Sequence, residues 1–527
     1  MNSVTHEPIA GAQVYSPDNR FAVMTDDQGH FEVALPQRKE EGTVTFHREQ
    51  LIARKPGFLT DRNNPALKRV STDSTELTIS LVPEAILTGK VTLAGSDSPD
   101  GAHVQLFRKE VRDGLAHWAP QDIATTNSRG EYRFAELYPG DYRVGTHEVA
   151  DPEAFLPGGN MSGYPPVYFP SASDFPGATT IHLAPGNIFQ ANFSLARRKY
   201  YPVKISVSNA SPSLMGINVN VSVRGDGAPG YSLGYNLADH SVRGMLPNGI
   251  YVVEATTFSQ QGATGLINLR IANGPAEDSQ LTLLPNGIIP VQVREEFTST
   301  PPPTGGADRD RMNRQFRRRY LNVILDPVSD FGRGRGAGLR PPTGPNDESL
   351  AIDNVQPGRY RVQVNSSRGY AASVTSGGLD LLHEPLVVGP GGSSSPIEIT
   401  MRDDTASFDG TIEGVGGAIE GQNSLPGQTP SLVSSAPSAY IYCIPLPDSP
   451  GQFTQAWASP DGEFRSPPIP PGEYRILAFK HQQNDLEYRN PEAMRAYESK
   501  GQVVRLVGGQ KEHLQLQLVS KANDDGN

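Results

Sequence analysis

One pentapeptide of the chain has the spacing of a catalytic nucleophile. Gly230, Ser232 and Gly234 form the pattern Gly-x-Ser-x-Gly, which in hydrolases holds a reactive serine on a sharp turn between a strand and a helix. Here the glycine-rich stretch Arg224–Pro229 precedes the pattern, and no helical periodicity follows it. The Asp239–His240 pair is too close in sequence to resemble the dispersed partners of such a serine. We therefore expect a loop between strands, and a serine hydrolase centred on Ser232 is the alternative.

The histidine, cysteine and acidic residues do not have the spacing of a metal site. The 11 histidines are scattered, without the His-Glu-x-x-His spacing of a zinc peptidase. Asp26 and Asp27 precede Gly29, but the segment lacks the spaced acidic ligands of a calcium loop, so we expect an aspartate-capped turn. The single cysteine, Cys443, excludes an internal disulfide framework. The sequence predicts no metal and no other cofactor.

A cluster of arginines is a candidate site for polyanions. Six arginines stand between residues 308 and 320, and such a basic patch could attract an acidic polymer. The preceding Pro301–Gly306 stretch is typical of a linker, so the alternative is a solvated linker that leads into a strand. The arginines that we single out are Arg314, Arg317, Arg318 and Arg319.

Several aromatic residues are candidates for carbohydrate binding, since exposed rings stack on the apolar faces of sugars. Residues 164–169 lie in a proline-rich insertion, and loops often carry function. The alternative is that these rings cover the edge of a hydrophobic core. The candidates are Trp118, Tyr164, Tyr168, Phe169 and Trp457.

A short phrase recurs four times along the chain. Each copy reads, in order, an apolar residue, any residue, Pro or Asn, Gly, any residue and Tyr. The copies are about 110 residues apart. This period is the size of a small domain and indicates tandem domains. Pro-Gly or Asn-Gly makes a tight turn, and the residues after it alternate as a strand does. The repeated tyrosines, which we expect in hydrophobic cores, are Tyr142, Tyr251, Tyr360 and Tyr474.

The composition fits many short strands joined by turns. The 527 residues include 54 Gly and 46 Pro, which is rich but below the fraction of a disordered low-complexity chain. A net charge of −11 argues against a nucleic-acid binder. No apolar run is long enough to span a membrane as a helix. The best helix candidate starts at Asn490 as N-cap and ends at Gly501.

These residues resemble the carboxypeptidase regulatory-like domain, a transthyretin-like β-sandwich. Thr5–Val14 matches its T-x-x-P-I-x-G-A-x-V pattern, Thr25–Phe31 its T-D-x-x-G-x-F pattern, and Leu137–Val144 its L-x-P-G-x-Y-x-V pattern. The match is closest in the first two repeats and covers the rest through the repeated phrase. The resemblance implies an accessory module of large bacterial envelope proteins, found beside peptidases, glycoside hydrolases and outer-membrane receptors. Such modules usually bring no chemistry, and related folds bind starch.

We predict an all-β chain, a tandem and extended array of about five immunoglobulin-like or transthyretin-like antiparallel β-sandwich domains. The predicted domains span residues 1–84, 85–196, 197–296, 297–403 and 404–522. The first has a clipped opening strand, the fourth follows an Arg/Gly/Pro-rich linker, and the last carries a short helix near residues 490–500.

The predicted function is that of a non-catalytic modular protein of the cell envelope or a secreted protein, acting as spacer and binding scaffold. A carbohydrate-binding accessory module is the alternative. We expect a monomer whose partner is a polysaccharide or another envelope protein. The expected location is extracellular or periplasmic. Because only Met1–Val4 precedes the first motif, we also hypothesise that the reading frame starts upstream and includes an export signal.

Overall fold

Five separate hydrophobic cores follow one another along the described part of the chain. We call the strands around each core units 1 to 5, in chain order. The all-β fold with tandem sandwich-like units is confirmed. A computed structural model describes residues 1–18, 20–33, 49–61, 68–70, 77–95, 97–150, 162–209, 216–224, 228, 230–257, 262–298, 320–332, 336–342, 347, 349–414 and 438–519.

Unit 1 surrounds a core that includes Val14, Leu51 and Leu81. Its main sheet has the order β2-β1-β3-β5, and β4 pairs with β6. The strands are β1 (Gln13–Tyr15), β2 (Ala22–Met24), β3 (Glu49–Arg54), β4 (Phe58–Thr60), β5 (Lys68–Val70) and β6 (Leu81–Pro83).

Unit 2 has one sheet in the order β10-β7-β15, with β16 also on β7, and a second in the order β14-β11-β8-β9. The strands are β7 (Ala85–Leu93), β8 (His103–Arg112), β9 (Leu115–Thr125), β10 (Glu131–Leu137), β11 (Gly140–Thr146), β12 (Val149–Ala150), β13 (Ser162–Tyr164), β14 (Ile181–Leu183), β15 (Ile188–Gln190) and β16 (Phe193–Leu195).

Unit 3 shares a sheet with the end of unit 2, in the order β12-β13-β17-β20-β19, with β23 also on β17. Its other sheet has the order β18-β21-β22-β24. The strands are β17 (Arg198–Ser208), β18 (Ile217–Val223), β19 (Leu233–Asn236), β20 (Ser241–Pro247), β21 (Gly249–Thr257), β22 (Ala263–Ile271), β23 (Ala276–Thr282) and β24 (Leu284–Pro285).

Unit 4 has sheets in the orders β28-β25-β33-β30-β31 and β27-β26-β29-β32. Two short 3-10 turns cover Asp330–Gly332 and Pro390–Gly392. The strands are β25 (Gly287–Glu296), β26 (Leu321–Pro327), β27 (Ala337–Gly338), β28 (Leu350–Val355), β29 (Gly358–Ser366), β30 (Tyr370–Ser376), β31 (Leu379–Asp380), β32 (Leu386–Val388) and β33 (Ile397–Arg402).

Unit 5 is a seven-stranded sheet in the order β39-β38-β35-β36-β37-β34-β40, curled around its core. Its strands are β34 (Ser407–Ile412), β35 (Ala439–Pro445), β36 (Thr454–Ala458), β37 (Glu463–Arg465), β38 (Gly472–Phe479), β39 (Gln502–Leu506) and β40 (Lys511–Leu516). The helix α1 spans Pro491–Met494, and the Asn490 side chain accepts from two amides of its first turn. A 3-10 turn over Arg495–Tyr497 follows. Within the described residues, no helix combines the length and apolarity needed to cross a membrane.

Units 2 to 5 each join their first strand to a strand at their end, and these pairs are parallel. They are β7 with β16, β17 with β23, β25 with β33, and β34 with β40. A parallel pair needs a long crossover, and here the rest of the unit is the crossover. In unit 1, Asn2 forms a parallel bridge to Leu81 in the corresponding place. The antiparallel prediction did not include this closure.

One predicted domain boundary falls after a strand that belongs to the next unit. Strand β25 pairs with β28 and β33, and its Ile289 and Val291 lie in the core of unit 4. The predicted boundary at residue 296 places this strand in the third domain. The reason is that the Pro285–Gly287 turn resembles the turn of a hairpin at the end of a domain. That turn joins two units instead. The other boundaries stay predictions.

The extended arrangement is wrong for units 2, 4 and 5. The hairpin β8–β9 of unit 2 contacts unit 4 through a hydrogen bond of 2.9 Å from the Trp118 amide to the Asp330 carboxylate. Its tip contacts unit 5, where the Tyr488 hydroxyl donates to Asp113 at 2.7 Å. Units far apart in sequence therefore meet.

The repeated tyrosines are fully buried, as predicted. Each hydroxyl donates to the backbone carbonyl four residues earlier, across the repeated turn, as in the tyrosine corner of β-sandwiches. In unit 3 a Cβ on Gly249 would lie 2.8 Å from the Tyr251 hydroxyl, so the ring requires glycine in the turn. The acceptors are the carbonyls of Tyr138 at 2.7 Å, Pro247 at 2.9 Å, Gln356 at 2.8 Å and Pro470 at 2.6 Å.

We expect Tyr360→Phe to destabilise unit 4 by about 1–3 kcal/mol, because the Gln356 carbonyl loses its hydroxyl donor. Burial raises the pKa of Tyr360 to about 12, in keeping with a phenol that stays protonated. The measurement is calorimetric unfolding of the full chain. Tyr370→Phe is the control, because its acceptor Asp404 keeps Arg402 as a partner. An equal loss of unfolding free energy in both variants would contradict a stabilising role for the hydrogen bond from Tyr360 to Gln356.

Candidate functional site

Ser232 does not lie on a nucleophile elbow. Tyr231 before it forms an isolated β-bridge to Val221, and the strand β19 rather than a helix follows it. Asp239 and His240 occupy the turn at the far end of β19, about 13 Å away along a four-residue strand. There Asp239 pairs with Arg243, and the His240 ring contacts the Tyr235 hydroxyl at 2.9 Å. The serine hydrolase alternative therefore lacks the structural context that it requires.

The loop that holds Ser232 contacts a buried carboxyl at the junction of units 2 and 3. The Glu148 amide donates to the Gly230 carbonyl at 3.0 Å. The Glu148 carboxyl lies against the Tyr200 hydroxyl and accepts from the Ser232 amide. Burial outweighs these contacts and raises the pKa of Glu148 to about 7. This junction therefore carries an acid that titrates near neutral pH.

We expect the full chain to lose stability as pH rises from about 4.5 to about 7 because of Glu148. Its pKa is raised in the folded state, so the unfolded state releases the proton first over this range. The effect is on the order of 3 kcal/mol. Unfolding midpoints of Glu148→Gln should depend less on pH over this window. The exposed Glu277→Gln is the control, and a wild-type slope retained in Glu148→Gln would refute the assignment.

The candidate aromatic residues do not share one face. Tyr164 and Tyr168 are buried, and the Tyr164 hydroxyl donates to the Ala94 carbonyl at 2.9 Å. Phe169 packs against the core of unit 2. Of the five rings, Trp457 on β36 is exposed, with 67% of its surface accessible. Carbohydrate binding by these residues stays a prediction, and the arginines of the polyanion prediction lie outside the described residues.

An aromatic cluster joins units 2, 3 and 4. Phe331 of unit 4 packs edge-on against Phe175 of unit 2, with ring centroids 4.7 Å apart. Ala228 of unit 3 lies in the same cluster, with Trp118 at its border. The Arg143 guanidinium stacks 4.5 Å above the Trp118 ring. Trp118 and Tyr168 were candidates for ligand binding, with packing at the edge of a core as the alternative, and both rings belong to this cluster between units.

The tip of the β8–β9 hairpin is clamped onto unit 5. The Arg489 amide donates to the Gly114 carbonyl at 3.0 Å, and its guanidinium lies 3.2 Å from Asp113. Phe453 stacks on the Tyr488 ring with centroids 3.8 Å apart. Gly114 has a φ of +73°, and a Cβ there would come within 2.7 Å of the Tyr488 ring. This close approach explains why the tip needs glycine.

We expect Gly114→Ala to release the hairpin tip from unit 5, because the added methyl group overlaps the Tyr488 ring. Hydrogen exchange should then accelerate at the Arg489 amide, which is bonded to Gly114. Gly101→Ala is a matched control, since φ is +77° there and nothing lies within 4 Å of the new Cβ. Unchanged exchange at residues 486–490 in Gly114→Ala would show that the clamp tolerates the methyl group.

A crevice of about 750 Å³ opens where units 2, 4 and 5 meet. This volume lies in the range of ligand pockets. Apolar groups of Ile444, Leu382 and Met494 line it together with charged side chains. The side chains that matter for its chemistry are Asp113, Arg361, His383, Phe453, Arg475 and Arg489.

Two of the crevice arginines come from the repeated phrase. Arg361 and Arg475 directly follow the buried tyrosine, as Arg143 does in unit 2. Each donates to a carbonyl of a later loop, from Arg361 to His383 at 3.0 Å and from Arg475 to Tyr497 at 2.9 Å. This site was not among the sites predicted from the sequence. The Gly-x-Tyr-Arg pattern was the available signal, because strand alternation turns the arginine away from the core.

No protein-family model matches the chain, and no curated protein matches it either. The resemblance to the carboxypeptidase regulatory-like domain is therefore not confirmed. Among solved structures, the chain is similar to the Bacillus anthracis TIE protein at 10% identity and a TM-score of 0.15. That match covers 74% of this chain and 66% of the TIE chain, which is just under two thirds of its length.

Two pilins match in the same way. BcpA, the major pilin subunit of Bacillus cereus, matches at 10% identity with a TM-score of 0.14, over 82% of this chain and 99% of the pilin. The shaft pilin spaA from Lactobacillus rhamnosus GG matches at 12% identity with a TM-score of 0.12, over 39% of this chain and 99% of the pilin. At such TM-scores the chains do not superpose as wholes, and the all-β fold rests on the strands described above.

Proposed function

We propose that the chain is a non-catalytic binding scaffold of the cell envelope or a secreted scaffold. The observation that carries this proposal is the crevice between units 2, 4 and 5, which units far apart in sequence build together. Each unit has its own core, so the clamp and the aromatic cluster are what hold the crevice walls in place. Such an arrangement supports a spacer that presents a binding site.

A location outside the cytoplasm is part of this proposal. In intact cells of the source, we expect a membrane-impermeant amine reagent to label exposed lysines such as Lys90 and Lys511. A cytosolic protein followed in the same cells is the control and should stay unlabelled until lysis. Labelling of this chain only after lysis would overturn the proposed location.

Carbohydrate binding is the second candidate, and the exposed ring of Trp457 favours it. Trp457 lies beside Tyr440 of the neighbouring strand, so two aromatic side chains share the outer face of the sheet. Retention on a polysaccharide that disappears in Trp457→Ala but not in Val503→Ala, at another exposed apolar position, would support this candidate.

A further inference from the structure

The crevice contains an edge of β29 that no strand among the described residues covers beyond Tyr360. On its other side, β29 pairs with β26, and the Arg359 carbonyl there accepts from the Val328 amide at 3.0 Å. Because alternate residues of an antiparallel strand bond to opposite sides, Val362 and Val364 direct their backbone groups away from β26. On that side β32 pairs only with Gly358–Tyr360.

Unit 2 covers the corresponding edge with its proline-rich insertion. The positions two and four residues after the repeated tyrosine are Val144 and Thr146. The Phe169 amide donates to the Val144 carbonyl at 2.9 Å, and the Thr146 amide donates to the Val167 carbonyl at 2.9 Å. Both positions are therefore bonded within the chain.

Units 3 and 5 cover this edge as well. In unit 3, β22 runs beside β21 past both positions, Val253 and Ala255. In unit 5, β39 reaches Ile476, and the Val519 amide donates to the Ala478 carbonyl at 2.8 Å. Among the residues that the structure describes, unit 4 thus differs from units 2, 3 and 5, because no strand or bridge continues past Tyr360 on this edge.

The Arg361 guanidinium beside the open edge is incompletely paired, although the carboxylates Asp113, Glu384 and Glu498 also line the crevice. The Arg361 guanidinium has a buried Nε without a hydrogen-bond partner, and no described carboxylate lies within ion-pair distance of it. Asp113 is already ion-paired with Arg489. Burial, and then the charge of Arg489, lower the pKa of Arg361, while Asp113 and Glu384 act in the opposite direction. A buried N–H group without an acceptor is unfavourable, and a carboxylate of a bound ligand could accept from the Arg361 Nε.

We propose that an extended acidic peptide of a partner protein adds to the open edge of β29. Its backbone pairs with Val362 and Val364, as in strand addition to a sheet edge. One of its Asp or Glu side chains lies beside Arg361 and accepts a hydrogen bond from the unpartnered Nε. The arginine-rich segment of residues 308–320 has the wrong sign to fill this place. This inference rests on the proposed binding role and names the ligand class for the crevice.

The test uses the full chain and a fluorescent peptide of alternating valine and glutamate. We expect binding by fluorescence anisotropy, and no binding of the same peptide with N-methyl groups on alternate backbone amides, which cannot form the ladder. A valine–lysine peptide should not bind. If the N-methylated peptide binds as well as the parent peptide, or if the parent peptide does not bind, strand addition is refuted.

The charge contact is tested by reversal. Arg361→Glu should lower the affinity for the glutamate peptide by about tenfold or more. The same variant should bind the lysine peptide, which a merely damaged crevice would not do. Arg359→Glu is the matched control, since Arg359 is exposed on the same strand outside the crevice, and it should bind as wild type. Unchanged binding in Arg361→Glu overturns the charge contact. Peptide binding by a protein found inside cells would refute the location proposed above and leave this inference standing.

Discussion

The hydrogen bond from a buried tyrosine hydroxyl to the carbonyl four residues earlier fixes the geometry on which units 2 to 5 depend. The bond closes the Pro-Gly or Asn-Gly turn and sets the direction of the strand that leaves it. It also sets which residue faces outwards next. In units 4 and 5 that residue is Arg361 or Arg475, so the bond that orders the core also aims two arginines at the crevice.

The features that could be predicted from sequence are those that each repeat encodes by itself. The turn residues, the alternation after them and the shared tyrosines predicted an all-β tandem chain, because these signals are local and recur. The Asn490 cap was visible for the same reason. The repeated arginine after the tyrosine was visible too, but its role depends on a later loop that the phrase does not contain.

The contacts between units have no sequence signal comparable to the repeated phrase. The clamp joins Asp113 and Gly114 to Tyr488 across most of the chain, and neither segment repeats elsewhere. Aromatic residues such as Trp118 and Tyr168 look the same in the sequence whether they contact a ligand or another unit. Strand β25 was assigned to the wrong side of a boundary because a turn between units and a turn within a hairpin use the same residues.

The parallel pairing of first and last strands has a mechanical consequence. Parallel partners place the entry of a unit and its exit at opposite ends of the same pair, as in β25 with β33. A tensile load along the chain therefore acts on all hydrogen bonds of that pair at once, in shear, rather than unzipping them one after another. Each of these units should thus resist stretching until the whole pair slides.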